Sequence, residues 1–87
     1  MQLFIRNIPN LRLIHISEND SILDVKKKIE KRSTLPIRFQ NIMFQGKYLS
    51  NSKYIKDYSI SNDDTLHVHF RIYNSEIPTE YVRLSRK

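Results

Sequence analysis

The segment Ser21-Ile22-Leu23-Asp24-Val25-Lys26-Lys27-Lys28-Ile29-Glu30-Lys31-Arg32 spaces its apolar residues so that only a helix gathers them onto one side. Ile22, Val25 and Ile29 stand at i, i+3 and i+7, a single stripe of a 3.6-residue turn, with Asp24, Lys27, Lys28, Lys31 and Arg32 around the rest. Asp20 or Ser21 is placed to cap the first amides. Asp24 falls in the first turn and Lys31 and Arg32 in the last, the order that the helix dipole favours. A buried aliphatic side chain contributes roughly 1.5 to 3 kcal/mol only when apolar surface covers it. The remaining chain has to supply that cover.

It offers strands. Met1, Leu3 and Ile5 alternate with Gln2, Phe4 and Arg6, the period of a half-buried strand. Asn7-Ile8-Pro9-Asn10 then predicts a hairpin tip, with Ile8 left on the surface. In Leu11-Arg12-Leu13-Ile14-His15-Ile16 the phases conflict, so we expect Ile14 and Ile16 inward, Leu11 and Leu13 on the other side, and irregular pairing near Leu13. Pro36 closes off the helix. Phe39 to Phe44, then Gln45-Gly46-Lys47, then Tyr48-Leu49 read as strand, tight turn and short strand, with Gly46, the sole glycine, at a positive φ. Lys56 to Ile60 predicts one helical turn capped by Asp57. Thr65 to Arg71 is the best-phased strand, with Leu66, Val68 and Phe70 inward and His67, His69 and Arg71 outward. One helix on one face of a mixed sheet is an α+β arrangement.

At 87 residues the chain is expected to form one domain. It has no cysteine, hence no disulfide framework, thiol nucleophile or thiolate metal site. No apolar run approaches the roughly 20 residues of a membrane span, and Met1 leads directly into a strand pattern. A cytoplasmic or nuclear protein without membrane contact is the expectation. Lys and Arg number 15 against 9 acidic residues, a net charge of +6 that attracts phosphate backbones and acidic proteins alike. A basic, simply solvated surface is the plainer account of the same excess.

The ordered set of segments resembles the ubiquitin family. Met1-Gln2-Leu3-Phe4-Ile5-Arg6, Val25-Lys26 and Lys28-Ile29, Leu35-Pro36, Gln40 through Phe44, Gly46-Lys47 with Leu49, Asp57-Tyr58 with Ile60, and Thr65-Leu66-His67 with Arg71 follow that family's order. The resemblance implies a β-grasp fold: a mixed sheet of about five strands wrapped on the helix, the last strand parallel to the first, as a domain over residues 1–72 with a basic extension over 73–87. It also implies a recognition surface, matched here by Ile8, Met43, His67 and His69, with Lys47 and Arg71 beside it. Met43 and His69 replace more aliphatic residues, so helices that bind ubiquitin itself should bind weakly. Conjugated members end in Gly-Gly, whereas Ile72-Tyr73-Asn74-Ser75 stands there in this chain, which argues against attachment by that route. Thr34 replaces a glycine just past the helix. A β-branched residue disfavours the left-handed conformation, so the helix end should be rebuilt.

Catalytic chemistry finds no foothold: no nucleophile with a base, no Gly-rich phosphate loop and no suggestive carboxylate pair, Asp63-Asp64 reading as a turn. We expect no enzyme, no small-molecule substrate and no cofactor. His67-x-His69 has chelating spacing, but His15 is the one further imidazole and no cysteine exists, so no metal is assigned. Two functions remain. The first is a non-conjugated module that binds a protein partner through Ile8, Met43, Lys47, His67, His69 and Arg71. The alternative is a structural component of a ribonucleoprotein of the ribosomal type, contacting RNA or an acidic surface through Lys27, Lys28, Lys31 and Arg32 and, in the extension, Arg83, Arg86 and Lys87. Lys26 is read as part of that helix ridge. In the extension Ile77, Tyr81, Val82 and Leu84 could anchor a docking arm.

Overall fold

The computed structural model describes residues 1–70. The helix α1 runs over Ile22–Ser33 and begins where Ser21 closes a reciprocal cap. Ser21 Oγ accepts from the Asp24 N–H at 3.0 Å, and an Asp24 carboxylate oxygen accepts from the Ser21 N–H at 3.1 Å. Asp20, the other cap candidate, instead accepts from the Ser17 N–H and from Lys28 Nζ. Ile22, Val25 and Ile29 are fully buried, as the stripe required.

Five strands surround this stripe: β1 (Gln2–Arg6), β2 (Leu13–His15), β3 (Gln40–Phe44), β4 (Lys47–Tyr48) and β5 (Thr65–Phe70), in the sheet order β2-β1-β5-β3-β4. β1 and β5 are parallel, with Ile5 opposite Leu66, and the other neighbours are antiparallel. The architecture is the ubiquitin-like β-grasp. Two 3-10 turns, Ile37–Phe39 and Ile55–Tyr58, close the sides. The core lies between sheet and helix, built from Leu3, Ile5, Ile14, Ile42, Leu66 and Val68 beneath the sheet and Phe39, Leu49, Ile55 and Ile60 from the connections. Gln40 crosses this core, its Nε2 donating to Lys26 O at 2.9 Å and Leu35 O at 3.0 Å. Its Oε1 is buried without a partner.

Several expectations are corrected. The return strand is three residues, not six, and Leu11 is buried along with Ile14 and Ile16. Asn7 and Asn10 both take positive φ, at 77° and 65°, and this turn rotates Leu11 under the sheet before β2 begins. Ile8 does not stand free; it is half-buried and packs against the core. Asp57 is not at the cap position of its turn: it lies inside Ile55–Tyr58, and its carboxylate accepts from the Tyr54 N–H at 2.8 Å.

The helix end is not rebuilt. Thr34 adopts the left-handed conformation itself, φ 64° and ψ 8°, with its N–H donating to Glu30 O at 2.8 Å. The surroundings hold it there: Ser33 Oγ donates to Ile29 O, the Glu30 carboxylate accepts from the Ile37 N–H, and Leu35 is anchored in the core. These contacts over-determine the turn against the preference of a β-branched side chain.

Candidate functional site

The outer face of the sheet carries the side chains that alternate with the core. Strand register decides which of them meet. Met43 on β3 lies opposite His67 on β5, and His67 lies opposite Arg6 on β1. Asn41 lies opposite His69, and Met43 is paired on its other side with Tyr48 of β4. Arg6, His67, Met43 and Tyr48 thus form one row across four strands. His69 sits one pleat further along β5, and the Tyr48 ring meets it edge-on with centroids 5.9 Å apart. His67 is exposed, Met43 and His69 are half-buried, and Tyr48 is 52% exposed.

Of the residues singled out from sequence, Met43, His67 and His69 are brought together by these ladders. Ile8 lies in the turn after β1 rather than in the row. Lys47 is exposed but pairs with Phe44, whose side chain is buried beneath the sheet, so it stands at the β3–β4 turn beside the row and not within it. Arg71, with Arg83, Arg86 and Lys87, lies outside the described residues. Tyr48 and Arg6 were missed. The signal for Arg6 was its position in the outward half of the first alternation, and for Tyr48 the two-residue period counted on from the turn at Gly46.

The other half of the outer face, across β1, presents Phe4, 42% exposed, between Leu13 of β2 and Thr65 of β5. The face therefore carries two aromatic positions, Phe4 and Tyr48, separated by a polar centre of Arg6 and His67.

The helix ridge divides differently. Lys26 is buried, so it is not part of any basic surface, while Lys27, Lys28, Lys31 and Arg32 are exposed. Lys28 is engaged with Asp20 at 3.2 Å and with the carbonyl of His15 at 3.0 Å. Among the titrating side chains, Asp24 is displaced: the hydrogen bonds from the Ser21 backbone N–H and hydroxyl, with Lys27 and Lys28 nearby, hold its carboxyl below the usual aspartate value. That carboxylate belongs to the helix cap. Among the described residues no group of three His, Cys, Asp or Glu gathers as a metal site. No helix there is long and apolar enough to cross a membrane.

Comparison with known proteins agrees with this geometry. The model of the ubiquitin family matches residues 3–72. Ubiquitin-like protein 4B of Monodelphis domestica is 32% identical over 59 residues, covering 68% of this chain and 33% of its own length. Ubiquitin-like protein 4A of Xenopus laevis is 33% identical over 55 residues, 63% of this chain and 37% of that protein. Phosphatidylinositol 4-kinase gamma 2 of Arabidopsis thaliana is 32% identical over 65 residues, 74% of this chain and only 12% of the kinase. The chain thus spans about a third or less of the relatives named here. With the fold, the strand order and a family match covering most of its length, the chain belongs to the ubiquitin family.

Proposed function

We propose that this chain is a non-conjugated ubiquitin-like module that binds a protein partner through the outer face of its sheet. The observation that carries the reading is the row of Arg6, His67, Met43 and Tyr48. It places one flexible thioether and one aromatic ring beside the imidazole of His67 and the guanidinium of Arg6, a combination able to bury a small apolar anchor while selecting an acidic surround. A partner that buries Met43 must also contact the imidazoles of His67 and His69. Lys47 and the half-buried Ile8 border the contact, and Arg71 follows directly on β5. No reaction, cofactor or small-molecule substrate enters this reading. The sequence Ile72-Tyr73-Asn74-Ser75, with no glycine, supports action by contact rather than by attachment.

Affinity capture with the full chain, followed by measurement of the captured partner's Kd, tests the reading. Met43→Ala or His69→Ala should weaken a discrete protein partner at least tenfold while leaving the fold intact. Recovery of ribonucleoprotein particles that dissociate as salt rises, with no response to either substitution, would support the RNA-contacting alternative instead. Detection of the chain linked by an isopeptide bond through its own carboxyl end would overturn the proposal.

A further inference from the structure

The chain has three histidines, two methionines and no cysteine, so every soft metal donor in it can be placed. From sequence the His67-x-His69 pair lacks a third donor; strand register supplies one. His67 and His69 stand on the outer side of β5 at a two-residue spacing, and Met43 of β3 lies opposite His67. Side chains paired in this way have Cβ atoms about 5 Å apart, and diagonal neighbours such as Met43 and His69 about 7 to 8 Å. The other two donors lie elsewhere. His15 is paired with Gln2 on the side of β1 away from β5, and Met1 precedes that strand.

Tyr48 shows which way His69 leans. Their backbones are about 11 Å apart, two strand spacings across and one pleat along, yet the ring centroids are 5.9 Å apart in an edge-on contact. Both rings therefore reach over β3, the strand that carries Met43. Met43 and His69 are half-buried there, and His67 is exposed. An ion above this triangle is within the span of one thioether and two imidazoles, whose nitrogens ligate at about 2 Å. Met43 and His69 both replace more aliphatic residues of the family, so the donor set is a property of this chain.

We infer that Met43, His67 and His69 form a binding site for a soft monovalent cation, Cu(I), held by one thioether sulfur and two imidazole nitrogens. The donors select the ion. Thioether sulfur favours Cu(I), whereas Zn(II) is held by thiolate, imidazole and carboxylate. Among the described residues no Asp or Glu completes a set of three with these histidines. Charge points the same way: Arg6 lies opposite His67 across the β1–β5 ladder, and its guanidinium repels a single positive charge half as strongly as a double one. The ion alone is the ligand, so the inference stands apart from the protein partner proposed above.

The full chain is titrated anaerobically with Cu(I), kept reduced by ascorbate, in competition with a chromogenic Cu(I) chelator, and in parallel with Ag(I) followed by NMR. The expected result is uptake of a single equivalent, with shifts at the Met43 methyl and the His67 and His69 rings and none at the Met1 methyl or the His15 ring. Met43→Leu, which keeps the apolar volume, and His69→Val should each weaken Cu(I) binding at least tenfold with an unchanged circular dichroism spectrum. His15→Ala should bind as the wild type does, and Zn(II) should not displace the bound Cu(I). Four results would overturn the inference: no withdrawal of Cu(I) from the chelator, uptake unaltered by Met43→Leu, Ag(I) shifts at Met1 or His15 in place of Met43, or displacement by equimolar Zn(II).

Discussion

Thr34 is the residue at which the backbone and the side chain disagree most openly. Its φ of 64° is a region that β-branched residues avoid, at a cost of about 1 to 3 kcal/mol. Glycine occupies it freely but loses more entropy on folding, so Thr34→Gly should raise stability by about 1 kcal/mol. A higher urea midpoint at unchanged slope would show it; a lower midpoint would mean that the threonine methyl or hydroxyl stabilises the turn in its own right. Asp24 gives a second residue-scale expectation. Its carboxyl is held below the usual value in the folded chain, so the stability it confers is present above the unfolded pKa and fades as pH falls through the folded one. Asp24→Asn should therefore be less stable than wild type near neutrality, with the difference closing below about pH 4. Thermal melts at a series of pH values measure it directly, and a gap that persisted unchanged into acid would exclude the carboxylate as its source.

At the level of elements, the legible parts were those where one periodicity acted alone. α1 and β5 each carry an uninterrupted pattern, and their inward residues are Ile22, Val25 and Ile29 in one and Leu66 and Val68 in the other. β2 was less legible because Leu11 and Ile14 are three apart, a spacing that fits neither face of a strand. The turn through Asn7 and Asn10 resolves the conflict, and asparagine tolerance of positive φ signals a turn without saying how far it rotates the chain. The β3–β4 connection was readable from one residue. Gly46 takes φ 79°, and a Cβ built there would meet no atom within 4 Å. Gly46→Ala should thus cost about 1 to 2 kcal/mol through backbone strain alone, seen as a lowered melting temperature with no change in the NMR signals of the core. A larger loss would point to a packing role for this turn.

For the molecule as a whole, the fold was legible and the face only partly so. Alternation alone put Met43, His67 and His69 outward, but the cross-strand neighbours that turn a face into a site, Arg6 and Tyr48, follow from register. Register depends on pairings between residues far apart in sequence, such as Gln2 with Asp63, joined by a side-chain hydrogen bond of 2.8 Å. Net charge likewise could not separate an acidic protein from a phosphate backbone, since both answer to the same field. These long-range pairings also make the core cooperative. Leu66 is fully buried where β5 meets β1, and Leu66→Ala should cost about 2 to 5 kcal/mol. For 87 residues, typical per-residue values give a total of roughly 4 to 13 kcal/mol, so chemical denaturation should show a large part of the stability gone, with a single transition retained.

The parallel contact between β1 and β5 has one more consequence, which concerns tension. When opposite pulls act on the start of β1 and the far end of β5, the load runs along both strands and shears the rungs from Phe4–Thr65 to Arg6–His67 together rather than peeling them in turn. A machine that drags this polypeptide by its trailing end meets its stiffest resistance at the outset, and the rest of the body gives way only once that clasp has slipped.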